Sequence, residues 1–148
     1  MNDDELMAGV RETFRILDPV PAAVLAAARA SIAWRAPAAR LAELEHDRGG
    51  PATGVRGGPA RTLTFTCPDA TVEIEVTPDG RLREIHGRLV PPAEALVEVR
   101  HRDLAPGGIT ARTEPEGMFW LPRVPAGLVS LILRLDDGTS IVTSWIRL

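Results

Sequence analysis

The spacing of apolar residues changes once along this chain, and that change limits the folds it can adopt more than any other feature. Up to about residue 47, apolar side chains recur every three to four positions, the spacing of one face of a helix. From Arg61 they recur at every second position, as in the segment TLTFTC, where Leu63, Phe65 and Cys67 alternate with threonines. The sequence therefore predicts helices in the first third of the chain and strands in the rest.

Residues 1–47 are predicted to form a helical segment of two or three short helices. The apolar face of the first helix consists of Leu6, Val10, Phe14 and Leu17. Three polar residues are candidates to cap its first turn: Asn2, Asp3 and Asp4. The early acidic residues also suit the positive end of the helix dipole.

A second helix is expected over residues 19–35, because the segment DPVP supplies Asp18 as a cap and a proline in the first turn. Pro37 disfavours helical geometry at the residue before it and predicts a kink there. The apolar stripe then continues to about Glu45. Beyond it, the Gly- and Pro-rich segment at residues 48–60 predicts a linker or mobile loop.

The remaining residues, 61–148, are predicted to form short strands separated by Pro/Gly turns. The predicted strands are 62–67, 71–76, 82–90, 95–101, 109–113, 128–135 and 140–148. Turn signals at residues 78–80 and 136–139 predict hairpins. The predicted fold is α+β by content: an N-terminal helical segment followed by an antiparallel β-sandwich of about seven strands, with domains at 1–47 and 61–148.

Charge and composition argue against several classes of protein. The chain has 20 acidic residues against 17 basic ones, all of them arginine, for a net charge of −3, so the basic field needed to bind nucleic acid is missing. The absence of lysine excludes Schiff-base chemistry and a P-loop. The acidic N-terminus and the lack of a long apolar run predict a cytoplasmic protein that does not contact membranes.

One stretch carries a recognisable pattern, EPEGMFWLPRVPAGLVSLILRL. It contains an acidic turn at Glu116-Gly117, an inward-facing pair, Phe119 and Leu121, and a corner at residues 124–127. This pattern resembles carboxypeptidase-regulatory-like domains, the transthyretin-like and Cna B-type β-sandwiches. The resemblance covers roughly Arg61–Leu148 and implies an accessory module. Members of the self-cross-linking branch use a lysine, so that property does not carry over.

The whole arrangement, with DPVPAAVLAAARASIAWR before a β-domain ending in TSWIRL, also looks like small bacterial proteins associated with genes for extracytoplasmic-function sigma factors and caspase-like proteases. This resemblance implies a regulatory or partner-binding role. The His and paired-Cys motif of zinc-type anti-sigma factors is absent, so contact with a sigma factor would need another mode.

Tryptophans are the most informative candidate binding residues. If Phe119 and Leu121 face the core, strand alternation turns Trp120 outward, and in the last strand it turns Trp145 and Ile141 outward. Exposed tryptophans are typical of interaction sites. Trp34, at the end of the second helix, is a further candidate. The alternative is that the N-terminal helices cover these side chains.

Catalytic and metal sites have little support in the sequence. Cys67 lies among inward-facing residues, where a cysteine behaves as a small apolar side chain, although a dyad with His86 is one alternative. His46, His86 and His101 lie on different elements without ligand spacing, so neither a metal nor another cofactor is predicted.

Three functional hypotheses follow. The first is a non-catalytic protein–protein interaction or regulatory module, whose partner is a sigma factor, a protease or a second copy of the chain. Its predicted partner-binding residues are Trp34, Trp120, Ile141 and Trp145. The second is a β-sandwich that binds a small ligand or carbohydrate on its exposed tryptophans. The third is a thiol enzyme based on Cys67.

Overall fold

A computed structural model describes residues 2–49 and 59–148 of the chain. The chain divides into two compact units, one ending at Arg35 and the other beginning at Ala36. Strands make up about 50% of these described residues and helices about 20%, so the described part of the chain is mostly β. None of the helices in these residues is long and apolar enough to cross a membrane.

The first unit contains helix α1 (Asp3–Leu17), helix α2 (Ala22–Ala30) and a 3₁₀ turn (Ser31–Trp34). The predicted first helix is confirmed, and a capping box closes its N-terminus. The Glu5 amide donates to Asn2 Oδ1 at 2.8 Å, and the Asn2 amide donates to Glu5 Oε2 at 3.1 Å. The second helix is shorter than predicted and starts after Pro21, so Asp18 does not cap it.

Among its described residues, the second unit contains ten strands in one sheet. They are β1 (Arg40–Gly49), β2 (Arg61–Cys67), β3 (Ala70–Asp79), β4 (Leu82–Val90), β5 (Ala95–His101), β6 (Thr110–Arg112), β7 (Met118–Pro125), β8 (Leu128–Leu135), β9 (Ser140–Thr143) and β10 (Ile146–Arg147). The strand order is β6-β5-β8-β9-β1-β2-β3-β4-β7, with β10 paired to β8. The sheet curves into a nearly closed, barrel-like form.

Strand β1 joins the two halves of the sheet. Its first residues, Arg40–Ala42, pair parallel with β9, and the rest of the strand pairs antiparallel with β2. The guanidinium group of Arg61 links residues of this region. It donates to both carboxylate oxygens of Asp47, at 2.8 and 2.7 Å, and to the Arg147 carbonyl at 2.6 Å. One strand thus connects β6, β5, β8 and β9 to β2, β3, β4 and β7.

The predicted seven-stranded sandwich is wrong, and β1 is the main reason. The apolar spacing predicts helix up to about Glu45, but residues 40–49 form a strand. Only Ala42 is buried in β1, so the strand lacks the alternation that would reveal it in sequence. The predicted helical segment runs to residue 47, whereas the two compact units divide between Arg35 and Ala36, so β1 belongs to the second unit. The predicted linker at 48–60 lies between two paired strands, since Gly49 pairs with Arg61; residues 50–58 lie outside the described residues.

The core confirms the predicted inward faces of the strands. The buried apolar residues include Leu63, Phe65, Cys67, Val72, Ile74, Val76, Val97, Val99, Phe119 and Leu121. Gly87 on β4 pairs with Phe119 on β7, and the phenyl ring occupies the space above the glycine. A Cβ at Gly87 would lie 2.0 Å from Phe119 Cζ, so the close approach requires glycine.

Glu98 on β5 is a buried carboxylate that organises a loop and a neighbouring strand. It accepts a hydrogen bond from the Gly107 amide at 2.8 Å and forms an ion pair with Arg134 on β8. Burial alone would raise the pKa of Glu98. The hydrogen bonds from Arg134 and Gly107, with the positive charges of Arg134 and Arg100, outweigh that effect and hold the pKa below its ordinary value.

Candidate binding site at the open seam of the sheet

The sheet does not close at the gap between its terminal strands, β6 and β7, which we call the seam. These strands lie side by side, but no ladder joins them in the part of the chain that the structure describes. A cleft of about 520 Å³ opens there. Its walls include the side chains of His86, Ala111, Arg112, Glu114, Met118 and Trp120.

The sequence places Trp120 at the seam through a tight turn followed by strict alternation. Gly117 has a φ of +81°, and its amide donates to the Glu114 carbonyl at 2.8 Å. A Cβ at Gly117 would lie 2.5 Å from the Leu89 carbonyl oxygen, so the predicted Glu116-Gly117 turn is confirmed and needs glycine. Along β7, Met118 and Trp120 then face outward, while Phe119 and Leu121 face the core.

The indole of Trp120 is held in one orientation by two residues of β4. Its Nε1–H donates to Glu84 Oε1 at 2.8 Å, and the same oxygen lies 2.9 Å from His86 Nε2. The imidazole of His86 stacks beside the indole, with ring centroids 6.2 Å apart and planes 20° from parallel. Trp120 nevertheless remains 55% exposed. The seam therefore presents a large aromatic surface whose orientation is fixed.

Charges of both signs surround the cleft. Hydrogen bonds from Trp120 and then from His86 lower the pKa of Glu84, so this carboxylate is ionised and accepts from both rings. Arg112 Nη1 lies 3.5 Å from Asp136 Oδ1. Both Arg112 and Glu114 line the cleft. No single sign of charge dominates this surface.

The other two predicted tryptophans belong to other segments of the chain. Trp145 follows β9 on the other half of the sheet and is 40% exposed. The guanidinium carbon of Arg100 lies 5.4 Å from the centroid of its ring, in a cation–π contact. Its predicted exposure is confirmed. Trp34 ends the 3₁₀ turn of the first unit and is half-buried. The structure therefore does not join Trp120 and Trp145 in one site.

Ile141 is wrongly predicted as an exposed binding residue, because it is 0% exposed in the core. The sequence predicts one continuous strand over 140–148. The strand instead breaks between β9 and β10, and the Ser144 amide donates to the Ala42 carbonyl at 3.0 Å. Two residues in the break shift the alternation, so both Ile141 and Ile146 face inward.

Cys67 and His86 lie on opposite faces of the sheet. Cys67 is buried, as its alternation predicts, and its thiol donates to the Ala70 carbonyl at 3.5 Å. His86 is exposed on the outer face beside Glu84. The structure therefore does not bring the two residues of the alternative dyad together.

Four residues of the seam are not predicted from the sequence: Glu84, which binds the indole of Trp120, and Arg112, Glu114 and Met118, which line the cleft. Glu84 and Met118 are brought to this site by the register between β4 and β7, in which His86 pairs with Trp120 and Arg88 with Met118. Arg112 ends β6 and Glu114 follows it, so their positions depend on β6 lying beside β7. The motif EIH at residues 84–86 was the available signal, since positions 84 and 86 share one face of a strand.

A second candidate surface is the apolar face of α1. The side chains of Leu6, Val10, Phe14 and Leu17 are all exposed, Phe14 by 64%, and none of the residues of α1 is buried. Three acidic residues occupy its first turn and Arg15 its last. Described by itself, the first unit thus contains an amphipathic helix whose apolar stripe is not buried by its other elements.

Comparisons with protein-family models, with curated proteins and with solved structures found no match for this chain. The resemblance to carboxypeptidase-regulatory-like domains therefore stays a prediction.

Proposed function

We propose that this protein is a non-catalytic, cytoplasmic protein–protein interaction module with a regulatory role, acting with a sigma factor or a caspase-like protease system. Its contact is the apolar face of α1, which docks into an apolar groove of the partner. The observation that carries the proposal is the exposed stripe of Leu6, Val10, Phe14 and Leu17 on a capped helix.

The stability of an isolated helix explains why this face needs a partner. A helix of 15 residues is marginal in water on its own, and most helices are stabilised by burying their apolar face. The capping box at Asn2 and the acidic first turn favour the helix before docking. Less conformational entropy is then lost on binding.

The charge of α1 indicates the chemistry of the groove. Asp3, Asp4 and Glu5 crowd the first turn of the helix, next to Leu6 at the start of the apolar stripe. A partner groove with arginine or lysine at the end that receives this turn complements those charges. The proposed binding site for α1 is therefore an apolar groove with a basic rim on another protein.

The test measures binding of the full chain to purified candidate partners, namely the sigma factor and the caspase-like protease encoded nearest to its gene. Phe14→Ala should weaken binding by about tenfold or more, the size expected for a buried aromatic contact. Glu12→Ala, on the opposite face of the same helix, is the matched control and should bind like the wild type. Circular dichroism checks that both variants keep their helices.

Two results would count against this proposal. If Phe14→Ala binds every interacting candidate as tightly as the wild type, the α1 face is not the contact. If the chain binds neither candidate but forms a dimer that Phe14→Ala dissociates, the occupant of the face is a second copy. Sedimentation velocity at several concentrations distinguishes the second case.

The alternative of a thiol enzyme gains no support from the site. The Cys67 thiol is buried and donates to a backbone carbonyl, whereas reactive thiols are partly exposed beside a positive or basic group. Slow alkylation of Cys67 in the folded protein is the expected result.

A further inference from the structure

We propose that the seam cleft is a binding site for a neutral saccharide of one or two rings, stacked on Trp120. The cleft and α1 belong to different units of the chain, so this site stands independently of the partner contact on α1. Three features of the cleft select this class of ligand: a fixed aromatic platform, hydrogen-bonding groups of both kinds, and mixed charge.

Trp120 has the properties of a stacking platform. The bond to Glu84 and the stacked His86 fix the orientation of the ring while leaving 55% of the side chain exposed. A ring that is already fixed loses little conformational entropy on binding. The indole N–H is already used, so the ring offers a ligand mainly its apolar face. A pyranose has a complementary face of C–H groups.

The polar groups of the cleft match the hydroxyl rim of a sugar. Glu114 can accept from hydroxyl groups, and Arg112 has several N–H donors in a planar fork. Arg112 also faces Asp136 at 3.5 Å, so an anionic or cationic ligand would meet a charge of its own sign nearby. A neutral ligand with many hydroxyl groups can use both kinds of side chain.

The edge of β7 disfavours an extended peptide as the occupant. A peptide that adds to a sheet edge needs a row of backbone donors and acceptors. Pro122 and Pro125 lie on β7 and have no N–H to donate, so the edge is blunted along its second half. The cleft volume of about 520 Å³ lies within the range of small-molecule sites. A small ligand that is recognised by side chains in the cleft therefore fits this seam better than an extended peptide does.

The experiment follows the indole N–H signals of the three tryptophans in a ¹H–¹⁵N spectrum of the full chain. Substitution of each tryptophan by phenylalanine assigns its signal. Maltose, cellobiose and N,N′-diacetylchitobiose are added separately up to about 50 mM, since single-site sugar contacts are weak. At least one of them should shift the Trp120 signal saturably and leave the Trp34 and Trp145 signals in place. Adenine serves as an aromatic probe that carries no sugar ring.

Substitutions then test the assignment of residues for the saccharide that binds. Trp120→Ala should raise its Kd by about tenfold or more, and Glu114→Gln by roughly three- to tenfold. Trp145→Ala is the matched control, an exposed tryptophan on the other half of the sheet, and should leave the Kd unchanged. Phe14→Ala should also leave it unchanged, which separates this site from the α1 contact.

Two outcomes overturn the proposal. One is the absence of a saturable shift of Trp120 with all three saccharides. The other is a Trp120 shift with adenine alone, which would make the cleft a site for flat aromatic ligands. If Trp120→Ala alters the melting temperature, the Glu114→Gln variant, which removes one charge and no packing, decides whether the cleft is the site.

Discussion

Gly87→Ala tests whether the contact between Gly87 and Phe119 determines the packing beneath the seam. A glycine in the middle of a strand usually costs about 0.5–1 kcal/mol relative to alanine, so the substitution would ordinarily stabilise the sheet. Gly87 does not have a positive φ, so its backbone conformation does not oppose alanine. Any loss of stability must therefore come from the phenyl ring that covers it.

The magnitude follows from the distances. The added Cβ would lie 2.0, 2.3 and 2.5 Å from Cζ, Cε2 and Cε1 of Phe119, whereas ordinary carbon contacts are about 3.5–4 Å. The ring must retreat by roughly 1.5 Å inside a packed core, and overpacking of this kind costs about 1–3 kcal/mol. After the gain in strand propensity, we expect a net destabilisation of about 1–2 kcal/mol. For a chain of this length the melting temperature falls by about 2–8 °C.

The assay is urea unfolding followed by far-UV circular dichroism, with Gly49→Ala as the matched control. Gly49 also lies in a strand without a positive φ, and a Cβ there meets nothing within 4 Å, so its substitution should change stability by less than about 0.5 kcal/mol. The double variant Gly87→Ala/Phe119→Leu should lose less than the sum of the single variants, because the smaller side chain relieves the overlap. Equal stability of Gly87→Ala and wild type, or strict additivity in the double variant, would refute the reasoning.

Three further predictions concern groups that hold the β unit together. Because the pKa of Glu98 is below its ordinary value of 4.5, the unfolded chain binds more protons at this residue than the folded chain does. The free energy of unfolding of the wild type should therefore fall as the pH drops below about 4.5. Glu98→Gln should flatten this part of the pH profile, measured by urea unfolding at a series of acidic pH values. Arg61→Ala removes a two-oxygen ion pair and should cost about 1–2 kcal/mol in the same assay, more than Arg40→Ala, whose single exposed pair is expected to contribute below about 1 kcal/mol. Gly117→Ala forces a left-handed residue against a backbone carbonyl and should lower the free energy of unfolding by about 2 kcal/mol.

The sequence predicts strands well where local signals suffice. The bounds of β4, β5 and β8 agree with the predicted ones, because each strand has alternating or continuous apolar residues between Pro or Gly turns. The strand β1 escapes prediction because its residues are those of a helix and only Ala42 is buried. Its place between two halves of a sheet depends on contacts with β2 and β9, which no local pattern encodes.

The candidate site is likewise predictable from the sequence only where a local pattern determines a residue's position. The outward direction of Trp120 follows from alternation within one strand, and it is confirmed. Its partners Glu84 and His86 come from a strand that is distant in sequence, so their approach depends on the register between β4 and β7. The predicted exposure of Ile141 is wrong for a related reason. A two-residue break reverses which residues of a strand face the core, and no strong sequence signal marks it.

The position of the seam follows from the strands that bound it. Because β1 joins the two halves of the sheet, closure is left to the strands at the two ends of the order, β6 and β7. β6 has three residues and β7 has eight, so β6 is too short to pair along β7, and Pro122 removes a backbone donor from the edge that remains. The cleft beside Trp120 is therefore built by a mismatch in strand length, and lengthening β6 would be expected to fill it.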